Sequence, residues 1–216
     1  MAEPLPEPTT RRLAGYAVLA AAVIFAAFVA LYFVVFSGDD DDMSLVAPPT
    51  GGPPSSVTPP ANTGVLDPER PEVGQPAPNF ALLDVRDGAT LRTLASFRGT
   101  PVVVNWFASW CGPCKAEMPE FQRAQDKLGN NVVFLGVNYD EDRSRALSFL
   151  QRVGSTYPAV LDSGHAVADH YRVGRGLPVT FFIDADGILR SFKTGRLTKK
   201  ELETFLATIG LDYEAP

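Results

Sequence analysis

The chain contains only two cysteines, and they sit three apart in Trp110-Cys111-Gly112-Pro113-Cys114. A thiolate can attack a disulfide sulfur, and a second thiol nearby can then resolve the mixed disulfide that results. A spacing of three brings the two sulfurs close enough to join each other. The chemistry predicted from this pair is dithiol–disulfide exchange, with Cys111 as nucleophile and Cys114 as resolver. Those roles depend on the flanking elements. Val102-Val103-Val104-Asn105-Trp106-Phe107 reads as a largely buried strand and Pro113 to Leu128 as a helix, so Cys111 falls at a helix N-terminus. Unpaired N–H groups and the helix dipole stabilise an anion there. That position lowers a thiol pKa below its usual value of about 8.5. Gly112-Pro113 fits such a turn, because proline is tolerated in the first turn of a helix.

Two other uses of the cysteines weigh less. A purely structural disulfide closing so short a loop would contribute only about 2 kcal/mol, against nearly 5 for a long loop. A zinc site would have to recruit His165 and His170. The gap to the cysteines is far longer than the roughly 12–15 residues of a zinc finger, and positions five apart face different sides of a helix. Both histidines are expected at the surface or in loops, and no metal or organic cofactor is expected.

The elements that must hold the motif follow from periodicity. Met118, Phe121 and Leu128 lie roughly on one side of the first helix, which Gly129 stops. Val132 to Val137 is a second apolar strand. Ala146, Phe149, Leu150 and Val153 recur at helical spacing, closed by Gly154. Val179–Ile183 and Ile188–Phe192 flank Asp184-Ala185-Asp186-Gly187, a hairpin signal. Thr198 and Glu201 form a capping box for a final helix through Leu206. A β-α-β half followed by a β-β-α half predicts an α/β domain, one central mixed sheet flanked by helices, over residues 73–216.

The chain has 216 residues, a formal net charge of -6 and 45% hydrophobic residues. Such an acidic balance argues against nucleic-acid binding, which needs a basic surface. The apolar residues are unevenly spread. From Leu13 to Phe36 no charge interrupts the sequence, long enough for a helix to cross a hydrocarbon core of about 30 Å. No small-x-small cleavage site follows Phe36, so an uncleaved anchor is expected over 13–36 rather than a removed signal. Arg11 and Arg12 precede it, and Asp39 to Asp42 follow, with no Lys or Arg until Arg70. The positive-inside rule then puts residues 1–12 in the cytoplasm and the remainder outside. Residues 37–72, with an aspartate block and three Pro-Pro pairs, read as a disordered linker able to reach on the order of 100 Å if fully extended.

Three stretches resemble the thioredoxin superfamily, specifically its TlpA/ResA-like branch of extracytoplasmic thiol–disulfide oxidoreductases. They are Val73-Gly74-Gln75-Pro76-Ala77-Pro78-Asn79-Phe80, the stretch from Val104 to Pro119 around the cysteines, and Gly176-Leu177-Pro178-Val179-Thr180-Phe181-Phe182-Ile183-Asp184. The resemblance implies a thioredoxin fold, with Pro178 as a cis-proline beside the disulfide that presents a backbone edge to the substrate. Trp110 and Leu177 would complete the substrate-binding surface, Trp110 also shielding the site. Glu117 matches an acid that assists proton transfer at the buried cysteine; by position alone it could equally be a solvated helix glutamate. Asn105 stands where cytoplasmic thioredoxins carry a buried aspartate, and Pro119 matches a helix-kinking proline. The implied partners are disulfides of exported proteins, apocytochrome c among them, and a membrane thiol-electron transporter as reductant. A disulfide-installing oxidant stays open. So does a non-catalytic metal-delivery module, although that would need a closely placed histidine.

Overall fold

The computed structural model describes residues 64–216. The expected span over 13–36 and most of the expected linker lie outside these residues; among the described residues no helix is long and apolar enough to cross a membrane. The described residues form eight strands: Gly64–Val65 (β1), Phe80–Asp84 (β2), Leu91–Thr93 (β3), Val102–Phe107 (β4), Val133–Tyr139 (β5), Ala159–Asp162 (β6), Val179–Ile183 (β7) and Leu189–Thr194 (β8). The α-helices are Gly112–Leu128 (α1), Arg143–Val153 (α2), Ala166–His170 (α3) and Lys199–Ala207 (α4). The strands make one mixed sheet in the order β1-β2-β6-β5-β4-β7-β8, with β3 paired to β2.

Strand β4 lies inside the sheet, parallel to β5 and antiparallel to β7. All six of its residues are buried, which explains the continuous apolar reading of a strand covered on both faces. Period-two alternation splits the core. Val103 and Phe107 join Met118, Phe121, Phe149 and Leu206 on one face. Val102, Val104 and Trp106 join Phe80, Tyr171 and Phe181 on the other. Trp106 meets Phe80 and Phe181 edge-on, at centroid distances of 6.4 and 5.4 Å, the geometry aromatic quadrupoles favour. Asn105 shares the parity of Val103 and Phe107. It therefore points to the face covered by α1, with Gly136 and Thr180 as its register partners. A Cβ at Gly136 would lie 2.9 Å from Phe107 Cε1, so only glycine fits there without moving the ring.

The helix ends match the signals in the sequence. Gly154 closes α2 in the left-handed conformation, with φ 68°. Thr198 and Glu201 form both halves of the capping box of α4. Helix α1 continues through Pro119.

Several elements were not expected from the sequence. Val65 of β1 packs against the core, Leu66 N–H donates to Asn79 O at 3.0 Å, and Arg70 bonds the carbonyl oxygen of Asp169 at 3.1 Å. The ordered domain thus begins before residue 73, and the last part of the expected linker belongs to it. Strand β6 pairs parallel to β5 and antiparallel to β2, inside the sheet, and helix α3 forms a short lid over the second core.

Candidate active site

The site forms where β4 ends and α1 begins. Cys111 is the N-cap of α1, in extended conformation, and its Sγ accepts the Cys114 N–H at 3.1 Å. A disulfide joins Cys111 and Cys114, whose Cα atoms are 5.3 Å apart. Cys111 keeps 4% of its surface exposed and Cys114 none, so Cys111 is the more accessible of the two. Among the described residues, no group of His, Cys, Asp and Glu is placed to hold a metal ion. His165 sits at the start of α3, with Nδ1 3.5 Å from Asp140 and Nε2 3.7 Å from Asp169. His170 reaches the Glu69 carbonyl. Neither approaches the cysteines through any of these contacts.

The Leu177–Pro178 peptide is cis. Pro178 is buried and Leu177 half-buried, and Leu177 packs against both cores. The Pro178 carbonyl accepts Gly195 N–H at 2.8 Å, tying the proline to the loop that enters α4. Trp110 is 54% exposed. It directly precedes Cys111 in the chain and stays open to solvent.

Glu117 follows Cys114 by three residues on the buried face of α1, together with Met118 and Phe121. It is 1% exposed, which rules out the solvated alternative. Its Oε1 accepts Asn105 Nδ2 at 3.0 Å, and its Oε2 accepts the main-chain N–H of Leu197 at 2.9 Å. Burial pushes its pKa up to about 7, against the opposing pull of these two donors and of Arg196. The sequence carried a signal for this. Positions 114, 117, 118 and 121 form one helical stripe, and Glu117 is its only charged member.

Two further groups went unread in the sequence. Glu141, just past β5, accepts the Ser109 N–H at 2.7 Å, the Ser109 hydroxyl, and Asn138 Nδ2 at 2.8 Å. It thereby holds the turn two residues ahead of Cys111. Thr180 Oγ1 accepts a second bond from Asn105 Nδ2 at 3.0 Å. Nothing in local sequence marks Glu141, which acts across the sheet end; Thr180 could have been found from its parity in β7.

A dithiol–disulfide pair at the mouth of a helix, a cis-proline loop and a buried acid behind the second cysteine define a thioredoxin-like thiol–disulfide oxidoreductase. Comparison with known proteins gives the same class. The thiol-disulfide oxidoreductase ResA of Geobacillus kaustophilus (strain HTA426) is 37% identical over 140 residues, 63% of this chain and 78% of that protein. ResA of Bacillus thuringiensis (strain Al Hakam) is 32% identical over 144 residues, 66% and 82% respectively. The crystal structure of a thiol:disulfide interchange protein of the thioredoxin family from Chlorobium tepidum TLS superposes with a TM-score of 0.56 at 26% identity, covering 66% of this chain and 99% of the other. Residues 73–192 match the AhpC/TSA family, and the chain belongs to that family as a thiol–disulfide oxidoreductase of the ResA type.

Proposed function

We propose that this protein is a membrane-held reductant of disulfides in exported proteins. The observation that carries the reading is the surroundings of Cys111 Sγ. The only hydrogen bond it receives among the described residues is the Cys114 N–H, and Gly112-Pro113 supplies no charge between the cysteines. A thiolate stabilised by little beyond a helix terminus leaves the disulfide relatively stable and the potential low. In the forward reaction the Cys111 thiolate attacks a substrate disulfide and expels one substrate thiolate. Cys114 then attacks Cys111 Sγ, breaking its bond to the second substrate sulfur, which leaves as a thiolate. Glu117 takes the proton from the buried Cys114 as it attacks.

The uninterrupted apolar run Leu13–Phe36, with Arg11 and Arg12 before it, supports a single-pass anchor with the N-terminus cytoplasmic and the catalytic domain outside. Residues between that anchor and the domain serve as tether. An exported reductant must be recharged across the membrane, and a thiol-electron transporter is the partner class that does so. Apocytochrome c awaiting haem attachment is the substrate that the resemblance to ResA suggests.

Equilibration of the full chain with dithiothreitol or glutathione buffers tests the direction of the reaction. The expected potential lies nearer that of thioredoxin, about -270 mV, than that of the strong oxidant DsbA, about -120 mV. A value at the oxidising end would overturn the reading.

A further inference from the structure

Asn105, Glu117 and Thr180 form a closed polar group inside the sheet–helix core, at 1%, 1% and 0% exposure. Asn105 spends both N–H bonds of its amide here, on Glu117 Oε1 and on Thr180 Oγ1, each at 3.0 Å. Its Oδ1 is buried and has no hydrogen-bond partner among the described residues. An unmade bond at a buried acceptor is costly, and β4 is otherwise apolar at every neighbouring position.

The arrangement suits one protonation state of Glu117. A carboxylate accepts, so the amide must donate to it. A protonated carboxyl keeps acceptor sites but also offers an O–H, and where that O–H lies on Oε1 a donor would face the amide's donor and waste both. The two ends of a carboxamide have nearly the same shape, so a half turn about the terminal side-chain bond needs no extra volume. After that turn Oδ1 faces both Glu117 and Thr180 and accepts from each. The threonine hydroxyl can donate as well as accept, so it stays bonded in either orientation.

We propose that Asn105 is a positioning residue whose carboxamide turns over with the proton on Glu117, donating through Nδ2 to the ionised acid and accepting through Oδ1 from the protonated one. The acid thereby keeps a partner in both states, and the cost of the turn falls on the amide, whose Nδ2 then takes the place where Oδ1 now lies without a partner. The inference rests on the proton-accepting role of Glu117 given above. The other groups that face Glu117 are the Arg196 guanidinium and Leu197 N–H from the loop before α4, the Tyr157 hydroxyl from the segment before β6, and Cys114 on its own helix. The Arg196 guanidinium has donors and no acceptor, and burial pushes the Tyr157 hydroxyl further from titrating at neutral pH. Neither can supply the reversal.

The test follows side-chain carbon and nitrogen resonances of Asn105 and Glu117 through a pH titration of the full-length oxidised chain in detergent. Asn105 Cγ and Nδ2 should move with the same midpoint as Glu117 Cδ. Asn105 resonances that stay flat through the Glu117 midpoint would overturn the proposal and leave the role of Glu117 intact.

Variants give a second, functional readout. In the pH dependence of the reduction potential, Asn105→Leu should move the Glu117 break upward by about one unit, because the bond to a charged acceptor is stronger than the bond to a neutral one. Asn105→Asp should split the break in two, as paired carboxylates share one proton. Thr180→Val, which spares the amide, should shift it less than Asn105→Leu. A folded Asn105→Leu protein with an unmoved break would sink the inference. A wild-type potential lacking any break, while Glu117 titrates, would instead refute proton coupling to the cysteines. Should the leucine variant fail to fold, the wild-type resonances still decide.

Discussion

Glu141 grips Ser109 twice, by its main-chain N–H and by its hydroxyl, and Ser109 lies two residues before Cys111. A carboxylate from the end of one parallel strand thus fixes the turn leaving the next, and Asn138 holds the carboxylate in place. Glu141→Ala leaves the Ser109 N–H and the Asn138 amide without an acceptor, at roughly 1–3 kcal/mol for each group that stays dry. The expected result is a loss of about 2 kcal/mol or more in urea unfolding, with a slower reduction of a model disulfide such as insulin. Wild-type stability and rate in the alanine variant would show that the grip is incidental.

Glu117 makes stability depend on pH with a definite sign. Its pKa rises from 4.5 in the unfolded chain to about 7 in the folded one. Between those values the native state binds the proton and the unfolded state does not, so the contribution of Glu117 is fully present below about pH 4.5. It is lost as pH rises through 7. The full loss is on the order of 3 kcal/mol. Glu117→Gln cannot titrate, and should flatten this part of the profile. Urea midpoints of the oxidised protein at pH 5 and pH 8 check it: the wild type should lose more stability between the two than the variant does.

Exposure at Cys111 and none at Cys114 predicts an asymmetry in trapping. Cys114→Ser should accumulate mixed disulfides with substrate proteins, because the resolving thiol is gone. Cys111→Ser should not. Non-reducing gels of cells expressing each variant read the result directly, and the reverse pattern would exchange the two roles.

The apolar run Leu13–Phe36 predicts tight membrane association. Protease added to intact cells, or to spheroplasts where an outer membrane is present, should release a soluble fragment close in size to the folded domain. The structure refines the expected cut, since the chain is already paired into the sheet at Gly64–Val65. Recovery of the whole chain in the soluble fraction would refute the anchor.

What the sequence revealed and what it hid follow physical lines. Long signals with their own punctuation were legible: the apolar strand at 102–107, the helix stop at Gly129, the left-handed Gly154, the capping box at Thr198. Elements too short to repeat were not. Gly64–Val65 is two residues long, Leu91–Thr93 three, and Ala166–His170 barely more than one helical turn; none is long enough to show an amphipathic repeat. Their order comes from neighbours far along the chain. The site divides the same way. The two cysteines announce themselves by spacing, and Pro178 by the stretch it opens. Glu117 needed its helix to be seen packed against β4 before solvated and buried readings could be separated. Glu141 and Thr180 reach the site through residues 32 and 75 positions away, a relation that no local pattern encodes.

The cap of α1 and the reactive atom are the same sulfur. A neutral disulfide sulfur is a weak acceptor and a thiolate a strong one, because charge roughly doubles the strength of a hydrogen bond. Each turnover therefore tightens or slackens the first turn of a helix. Gly112 and Pro113, on the outside of that turn, are exposed, so the change is displayed on the surface as a difference in how firmly the backbone is held.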